Sequence, residues 1–443
     1  MRILYAALLF MMMLVGAPAA LAAPQISVGL VTGQFTAELA SETDFTAQTV
    51  VNGSVRKEFL FKAGSYYFNA ANGSVNADGQ EFGNVVLRIK ADGVNPVKVN
   101  KKTYRGNIEV MLAPDRKNLI VRNVLPVDEY LYSVVGRTVP VYFPDEAIKA
   151  QAVAMRSYAL WLAENNNYYY DVRAGEKDYV YSGTDMEKHD INKLIDSTRG
   201  EVVLYGGRPA MALYTESSGG YTEDSADVYG EVFPKPYLKS VKDYDSDAPD
   251  YKWERSFDAQ NISSGLLRGG YDIGQIESIR LSPEKPGASD RTDTGRVISV
   301  GFAGSKGNIV VPAAVVRELF SLPSTLFEIE VTRPIPKQLD VPIENYYGME
   351  IGRKEIEIEL KDKEKSENGI AGSIKLISSV DGEKVIFKGR GSGSGLGLSL
   401  WGARQLANDE GNTPGYYKNI LRYYYRKYSC NKNLLKSVEK KCK

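Results

Sequence analysis

"VVGRTVPVYFPDEAIKAQAVAMRSYAL" spans Val134 to Leu160. A short apolar segment leads through Pro140 and Pro144 into a long alanine-rich run. Pro144 suits the first position of a helix, and Asp145 and Glu146 behind it complement the positive end of the helix dipole. From Ala147 to Leu162 nearly every position is apolar or small. Lys149, Gln151, Arg156, Ser157 and the Tyr158 hydroxyl are the polar exceptions. A helix that is apolar on most sides is a buried one. The stretch therefore predicts one long buried helix with Arg156 inside it. A buried unpaired charge is costly, so Arg156 requires an acidic or anionic partner.

From Gln25 to about Val99, segments such as "ISVGLVT", "FTAELA" and "NVVLRIKA" alternate between Asn-Gly and Asp-Gly turns, which reads as strands. The strand reading continues through "YRGNIEVMLAPDRKNLIVRNVLPVDEYLYSVV". After the helix, strand and helix patterns mix. The charged stretch from Arg333 to about Glu383 contains "KEIEIELKDKEKSEN", whose Glu/Ile alternation reads as an exposed hairpin. A glycine-rich loop and helices close the chain. The expected fold is mixed α/β (α+β) and β-rich, with one long buried helix flooring a cleft and an N-terminal β-rich module. The expected segments are an export signal at 1–22, the β-rich module at 23–103 and a core at 104–330. A charged hairpin-like insertion at 331–386 and a C-terminal block at 387–443 that completes the core follow.

Lys+Arg and Asp+Glu each number 55 in the 443 residues, so the chain offers no electrostatic case for nucleic acid or an anionic membrane. One histidine, His189, stands in the polar string "MEKHDINK" and reads as solvated. A Ser-His-Asp or Cys-His site would have to use it, and a histidine-rich zinc site cannot be built. Arg2, the apolar "ILYAALLFMMMLV" and the A-x-A site Ala20-Leu21-Ala22 form an export signal cleaved after Ala22. The protein is thus expected to be secreted, to the cell wall or periplasm, with no membrane span and no lipid-anchor cysteine. Cys430 and Cys442 either close a small loop at the C-terminus or remain free thiols.

Three blocks carry a family resemblance. "YLYSVVGRTVPVYFPDEAIKAQAVAMRSYAL", "ALYTESSGGYTEDSADVYG…PYLKSVKDYDS" and "GRGSGSGLGLSLWGA" resemble, in order, the motifs of the SpoIID/LytB family. That family comprises stage II sporulation protein D and amidase-enhancer proteins. The resemblance runs from about Tyr104 to Tyr428 and implies a wall-associated protein. The sporulation member is a lytic transglycosylase that cuts peptidoglycan glycan strands between MurNAc and GlcNAc. A protonated carboxyl gives its proton to the glycosidic oxygen, and the sugar's C6 hydroxyl closes on its own anomeric carbon.

The chain departs from the family pattern where the chemistry sits. The family's essential glutamate position, in what reads as a loop keeping Val134, Val135 and Pro140, is Thr138. Thr215, Ser392, Ser394 and Leu400 replace a histidine, a tryptophan, a histidine and a glutamine. Lys177 and Asp178 replace a His/Cys pair found in some members, so no metal and no cofactor are expected. The motif blocks imply glycan contacts at Lys149, Gln151, Ser217, Ser218, Gly219, Gly220, Ser394, Ser399 and Trp401. Arg156 is expected to hold the cleft together and to touch the glycan or an acidic loop residue. Glu216 is the first candidate for a relocated acid, against the reading of an exposed loop carboxylate. Glu223 is a further candidate, and Glu146 reads better as a dipole partner of the helix start. The alternating glycines either turn backbone amides to a ligand or let chains pack closely. The tyrosine runs Tyr168–Tyr170 and Tyr423–Tyr425 read as core aromatics or, less commonly, as sugar-stacking faces.

The expectation is an exported protein that recognises or remodels glycan strands, with lytic transglycosylase activity reduced or lost. The alternatives are an active enzyme with a relocated acid and an adaptor that stimulates a wall amidase.

Overall fold

The alternation of apolar side chains sets the strands. Ile26 and Val28, Ala37 and Leu39, and Phe45 and Ala47 are buried at every second position, with less buried residues between them. The structure is a computed structural model and describes residues 23–431, apart from 92–96, 167, 176–179, 230–234, 285–287, 333–337, 345–348, 358–373, 380–381 and 427–428. The expected export signal, Lys177, Asp178 and Cys442 lie outside the described residues. Two compact units divide the chain, one from Met1 to Ala212 with Ser429–Lys443, the other from Leu213 to Tyr428.

The first unit is built on two sheets. The larger has seven strands, in the order Val172–Arg173, Gln25–Gln34, Leu119–Pro126, Asn107–Leu112, Val86–Ala91, Phe45–Val51 and Ser54–Phe61. All its pairings are antiparallel except that of Val172–Arg173 with Gln25–Gln34. The smaller has six strands centred on Thr36–Ser41 and Gly64–Ala71. Phe45, Phe61, Phe68 and Phe82 are buried, and Phe45 stacks on Phe61 at 5.0 Å. Ile108–Ile89 and neighbouring pairs join strands on either side of residue 103, so the boundary expected there falls inside a continuous sheet.

The strand reading of "VDEYLYSVV" is corrected: Val127–Thr138 is a helix. Val127, Tyr130, Leu131, Val134 and Val135 are all buried at helical spacing, and Asp128 and Glu129 lie in the first turn, where they favour the dipole. The last strand stops at Pro126, which becomes the cap residue of this helix. The long helix runs from Asp145 to Asn165 and is buried over Glu146–Ser157, as expected. Pro144 sits one position earlier than expected, as its cap, and its carbonyl accepts from the Ala147 and Ile148 amides. These two helices and His189–Ser197 pack on one another. His189 is exposed at the start of the third helix.

The second unit has its own core. Lys252–Phe257, Lys384–Arg390 and Phe327–Thr332 form a three-stranded sheet, and Gly307–Pro312, Ser299–Gly304, Ile276–Arg280 and Ile374–Leu376 a four-stranded one. Trp253, Leu266, Phe302, Phe320 and Phe387 are buried in its main apolar cluster. Val331 pairs with Val385, so the charged insertion leaves and returns at adjacent points of one sheet. Within it Gln338–Glu344 and Glu350–Glu357 form an antiparallel hairpin, and of the stretch "KEIEIELKDKEKSEN" only Lys354–Glu357 lie among the described residues. Helices Leu400–Asp409 and Tyr417–Tyr424 close the unit. The molecule is thus mixed α+β and β-rich, and no helix among the described residues is long and apolar enough to cross a membrane.

Candidate functional site

In the first unit the short helix ends at Thr138. It is half-buried, and its hydroxyl donates to the Val134 carbonyl at 2.8 Å, one helical turn back. The position read as a loop is therefore the last turn of a helix. Gly136 lets that turn sit against the Met186 carbonyl, which a Cβ would strike. The segment from Val139 to Pro144 follows, with Phe143 buried and Val141 and Tyr142 exposed.

Arg156 has the acidic partner that its burial demands. It is 1% exposed, and its Nε donates to Asp128 Oδ1 at 2.8 Å. Its remaining nitrogens donate to the Glu201 carbonyl at 3.0 Å, the Ile195 carbonyl at 3.2 Å and the Thr198 hydroxyl. The guanidinium thus ties the long helix to the start of the short one and to the end of His189–Ser197. Ser157 adds a second tie, since its hydroxyl donates to the Val153 carbonyl and accepts from the Val203 amide at 2.8 Å. Glu146 is buried at the helix start and accepts from Lys149 Nζ at 2.7 Å. Gln151 is fully buried, and neither atom of its amide has a hydrogen-bond partner.

The second unit gathers the other two motif blocks. The segment from Leu213 to Gly219 lies along the glycine-rich loop. Leu398 donates its amide to the Leu213 carbonyl, and Ser217 and Ser392 exchange amide–carbonyl bonds at 3.0 and 2.8 Å. Gly391, Gly393, Gly395 and Gly397 all have positive φ. A Cβ on Gly391 would come within 2.6 Å of the Ser217 carbonyl oxygen. One on Gly393 would strike Thr215, one on Gly395 the Arg296 guanidinium, and one on Gly397 the Leu213 carbonyl. Close packing is the reason for these glycines.

Asp243 and Asp245 anchor this arrangement from beneath. Ser217 Oγ donates to Asp245 Oδ2 at 2.5 Å, the Gly219 amide donates to the same oxygen at 2.8 Å, and Ser218 Oγ donates to Asp243 Oδ2 at 2.6 Å. Tyr424 OH donates to Asp243 Oδ1 at 2.6 Å. Burial, and then the neighbouring Asp245, push the Asp243 carboxyl above the usual aspartate range. Glu223 is also buried, held by the Thr294 hydroxyl and by Arg296, whose Nε lies 3.2 Å away. Burial pushes its carboxyl up, and Arg296 and Thr294 oppose the shift. Its Oε2 has no partner. Glu216, by contrast, is exposed and accepts from Ser392 Oγ at 2.9 Å.

A cavity of about 510 Å³ opens beside these residues, lined by Gly219, Tyr221, Asp224, Asp227, Thr294 and Arg390 among others. Tyr221 is exposed, and burial together with Asp224 and Asp293 pushes the Asp227 carboxyl up. Lys239 pairs with Asp224 at 2.6 Å, and Arg390 with Glu284 at 2.6 Å. Among the described residues no three His, Cys, Asp or Glu side chains converge as metal ligands would.

The expected site residues thus fall in two groups. Thr138, Lys149, Gln151 and Arg156 belong to the first unit, and Glu216, Ser217, Ser218, Gly219, Gly220, Ser394, Ser399 and Trp401 to the second. Ser399 is buried as the cap of the helix Leu400–Asp409, accepting from the Gly402 amide at 3.2 Å. Ser394 Oγ accepts from the Leu396 amide at 3.3 Å, and Trp401 is buried under the Arg404 guanidinium at 5.1 Å. The sequence reading missed Asp128, Asp243, Asp245 and Arg296. Acids two apart in "SVKDYDS" were the available signal for the Asp243–Asp245 pair.

Similarity to known proteins agrees with this grouping. The SpoIID family model, described as stage II sporulation protein, matches residues 115–205, the part that holds both helices and Arg156. Stage II sporulation protein D of Bacillus subtilis is 30% identical over 179 residues, covering 36% of this chain and 51% of that one. Over these residues the chain is similar to the SpoIID/LytB family. The amidase enhancer of the same bacterium is 24% identical over 405 residues, 88% of this chain and 53% of that one. An uncharacterized protein of Brachyspira hyodysenteriae is 25% identical over 332 residues, 74% of this chain and 72% of that one. The chain therefore matches about half the length of the two family members whose names carry a role.

Proposed function

We propose that this is an exported protein that recognises the glycan strands of peptidoglycan, with lytic transglycosylase activity reduced or absent. The observation that carries the reading is Thr138. At the family's acid position stands a hydroxyl whose proton is directed to the protein's own Val134 carbonyl. Threonine has no proton to give near neutral pH, whereas the retained residues build scaffold. Arg156 acts as a positioning residue, because its donors are engaged by the protein itself. The cavity walled by Gly219, Tyr221, Asp227 and Arg390 supports glycan recognition, since it offers an aromatic face beside hydrogen-bonding side chains.

The test is incubation of the purified chain with soluble glycan strands stripped of stem peptides. Co-sedimentation without anhydro-MurNAc products is expected. Accumulation of those products above a no-protein control would overturn the reduced-activity reading.

One observation favours a second reading, an active enzyme with a relocated acid. Glu223 is a candidate acid whose carboxyl burial pushes upward, toward the protonated state that a general acid needs. If products do form, Glu223→Gln should abolish them. A wall amidase as partner is suggested by the name of one relative, and a pull-down against wall amidases tests it.

A further inference from the structure

A polar row crosses the large sheet of the first unit. In register it reads Arg173, Gly29, Arg122, Glu109, Arg88 and Gln48. Glu109 is buried and accepts from Arg122 at 2.7 Å and from Arg88 at 3.0 Å. Glu58, at the edge beyond, is held by Gln48 at 2.6 Å. One buried carboxylate thus sits between two guanidiniums, and Arg173 stands beyond them, exposed and with no ion pair among the described residues. The row carries surplus positive charge at that end.

The run Tyr168–Tyr170 stands at the same end. Gly29 leaves a gap in the row that the Tyr170 ring occupies, and a Cβ there would come within 2.8 Å of it. Tyr170 also covers Met111, Ala113 and Ile120, the apolar patch next to the row. Tyr168 stacks on Tyr170, with ring centres 6.3 Å apart and 18° between planes, and is 77% exposed. The loop is braced on several sides. Asp171 accepts from the Ser27 amide at 2.7 Å and its hydroxyl at 2.8 Å. Arg122 donates to the Tyr169 carbonyl at 2.5 Å, and Asn166 Oδ1 accepts from the Tyr168 amide at 3.2 Å. Packing explains Tyr170 and leaves Tyr168 unexplained, since its ring is held open to solvent in a set orientation. An aromatic face fixed in advance loses little freedom on binding.

We propose that this face of the sheet is a second saccharide-binding surface, for a glycan strand whose sugars carry a carboxylate. Tyr168 stacks on a sugar ring, and Arg173 pairs with the acid, the geometry for which guanidinium is suited. The proposal rests on the glycan-strand reading and adds a contact outside the three motif blocks.

The test measures binding of the full chain to soluble denuded strands, to the same strands with their carboxyls reduced, and to a phosphate-bearing wall polymer. Tyr168→Ala should weaken strand binding about tenfold, an aromatic contact's usual contribution, while Tyr168→Phe keeps it. Arg173→Glu should weaken it similarly at low salt, and reduced strands should bind the unmodified chain as weakly. Unchanged melting temperatures would show that the variants fold. If the unmodified chain binds strands and the variants bind equally well, this surface is excluded and the glycan-strand reading stands. If the unmodified chain binds no strands, both fall. Preference for the phosphate polymer, lost with Arg173→Glu, would overturn the carboxylate assignment.

Discussion

Arg156 and Asp128 form an ion pair sealed inside the first unit, with Nε 2.8 Å from Oδ1 across 28 residues of sequence. Breaking a buried pair from one side strands the other charge. Asp128→Asn or Arg156→Met should therefore destabilise the fold by about 3–5 kcal/mol, while the double change Asp128→Leu with Arg156→Met should cost much less. Urea unfolding of the three variants checks this. Equal losses in single and double variants would show that the pair does not act as a unit.

The glycine-rich loop makes a sharper claim. Gly397 has φ +75, and a side chain there would strike the Leu213 carbonyl, so Gly397→Ala combines backbone strain with a clash. A loss of about 3 kcal/mol or more is expected. Gly206 has φ +60 and open space around its missing side chain, so Gly206→Ala should show the backbone cost alone, about 1–2 kcal/mol. Thermal melts of both variants separate the two contributions.

Asp243 sets a pH dependence whose sign follows from its raised carboxyl. The folded state holds this proton more tightly than the unfolded state, whose carboxyl titrates near about 3.9. The contribution to stability is complete below that value and is lost as pH rises through the folded-state value. Asp243→Asn cannot ionise, so its stability should fall less steeply above about pH 4. Identical slopes in denaturant titrations across this range would contradict the assignment.

Thr138 closes a helix, where the dipole disfavours negative charge. A glutamate placed there would be held toward its protonated form, the state a general acid needs. Thr138→Glu is accordingly expected to raise anhydro-MurNAc formation from denuded strands, with general-acid help amounting to roughly 10²–10⁴ in rate. An inert Thr138→Glu variant that still binds strands would mean that substrate positioning has been lost together with the acid.

Much of this was legible in the residues. The long helix and the early strands follow from periodicity, and the burial of Arg156 follows from its apolar surroundings. The helix Val127–Thr138 was misread because "YLYSVV" is rich in β-favouring residues, although Val127, Leu131, Val134 and Val135 carry the helical period. Local pattern contains nothing to pair Arg156 with Asp128 or Ser217 with Asp245, since those partners meet only through the tertiary fold. The two tyrosine runs look alike in sequence, yet Tyr424 and Tyr425 are buried and Tyr168 and Tyr169 are exposed. Their neighbours decide that difference.

The threading of the glycine-rich loop along Leu213–Gly219 also orders events in time. The Gly395 amide bonds to Thr215, 180 positions earlier, and Ser392 reaches Glu216 across 176. Closing such long loops is entropically slow, and contacts of this separation form late. Until the last fifth of the chain has been made, the segment carrying Ser217 and Gly219 can reach Asp243 and Asp245 but lacks the glycine-rich loop it lies along. Docking of the glycine-rich loop must therefore wait for almost the whole polypeptide, and a nascent chain halted before Gly389 would hold the second of the family's motif blocks without the third that lies along it.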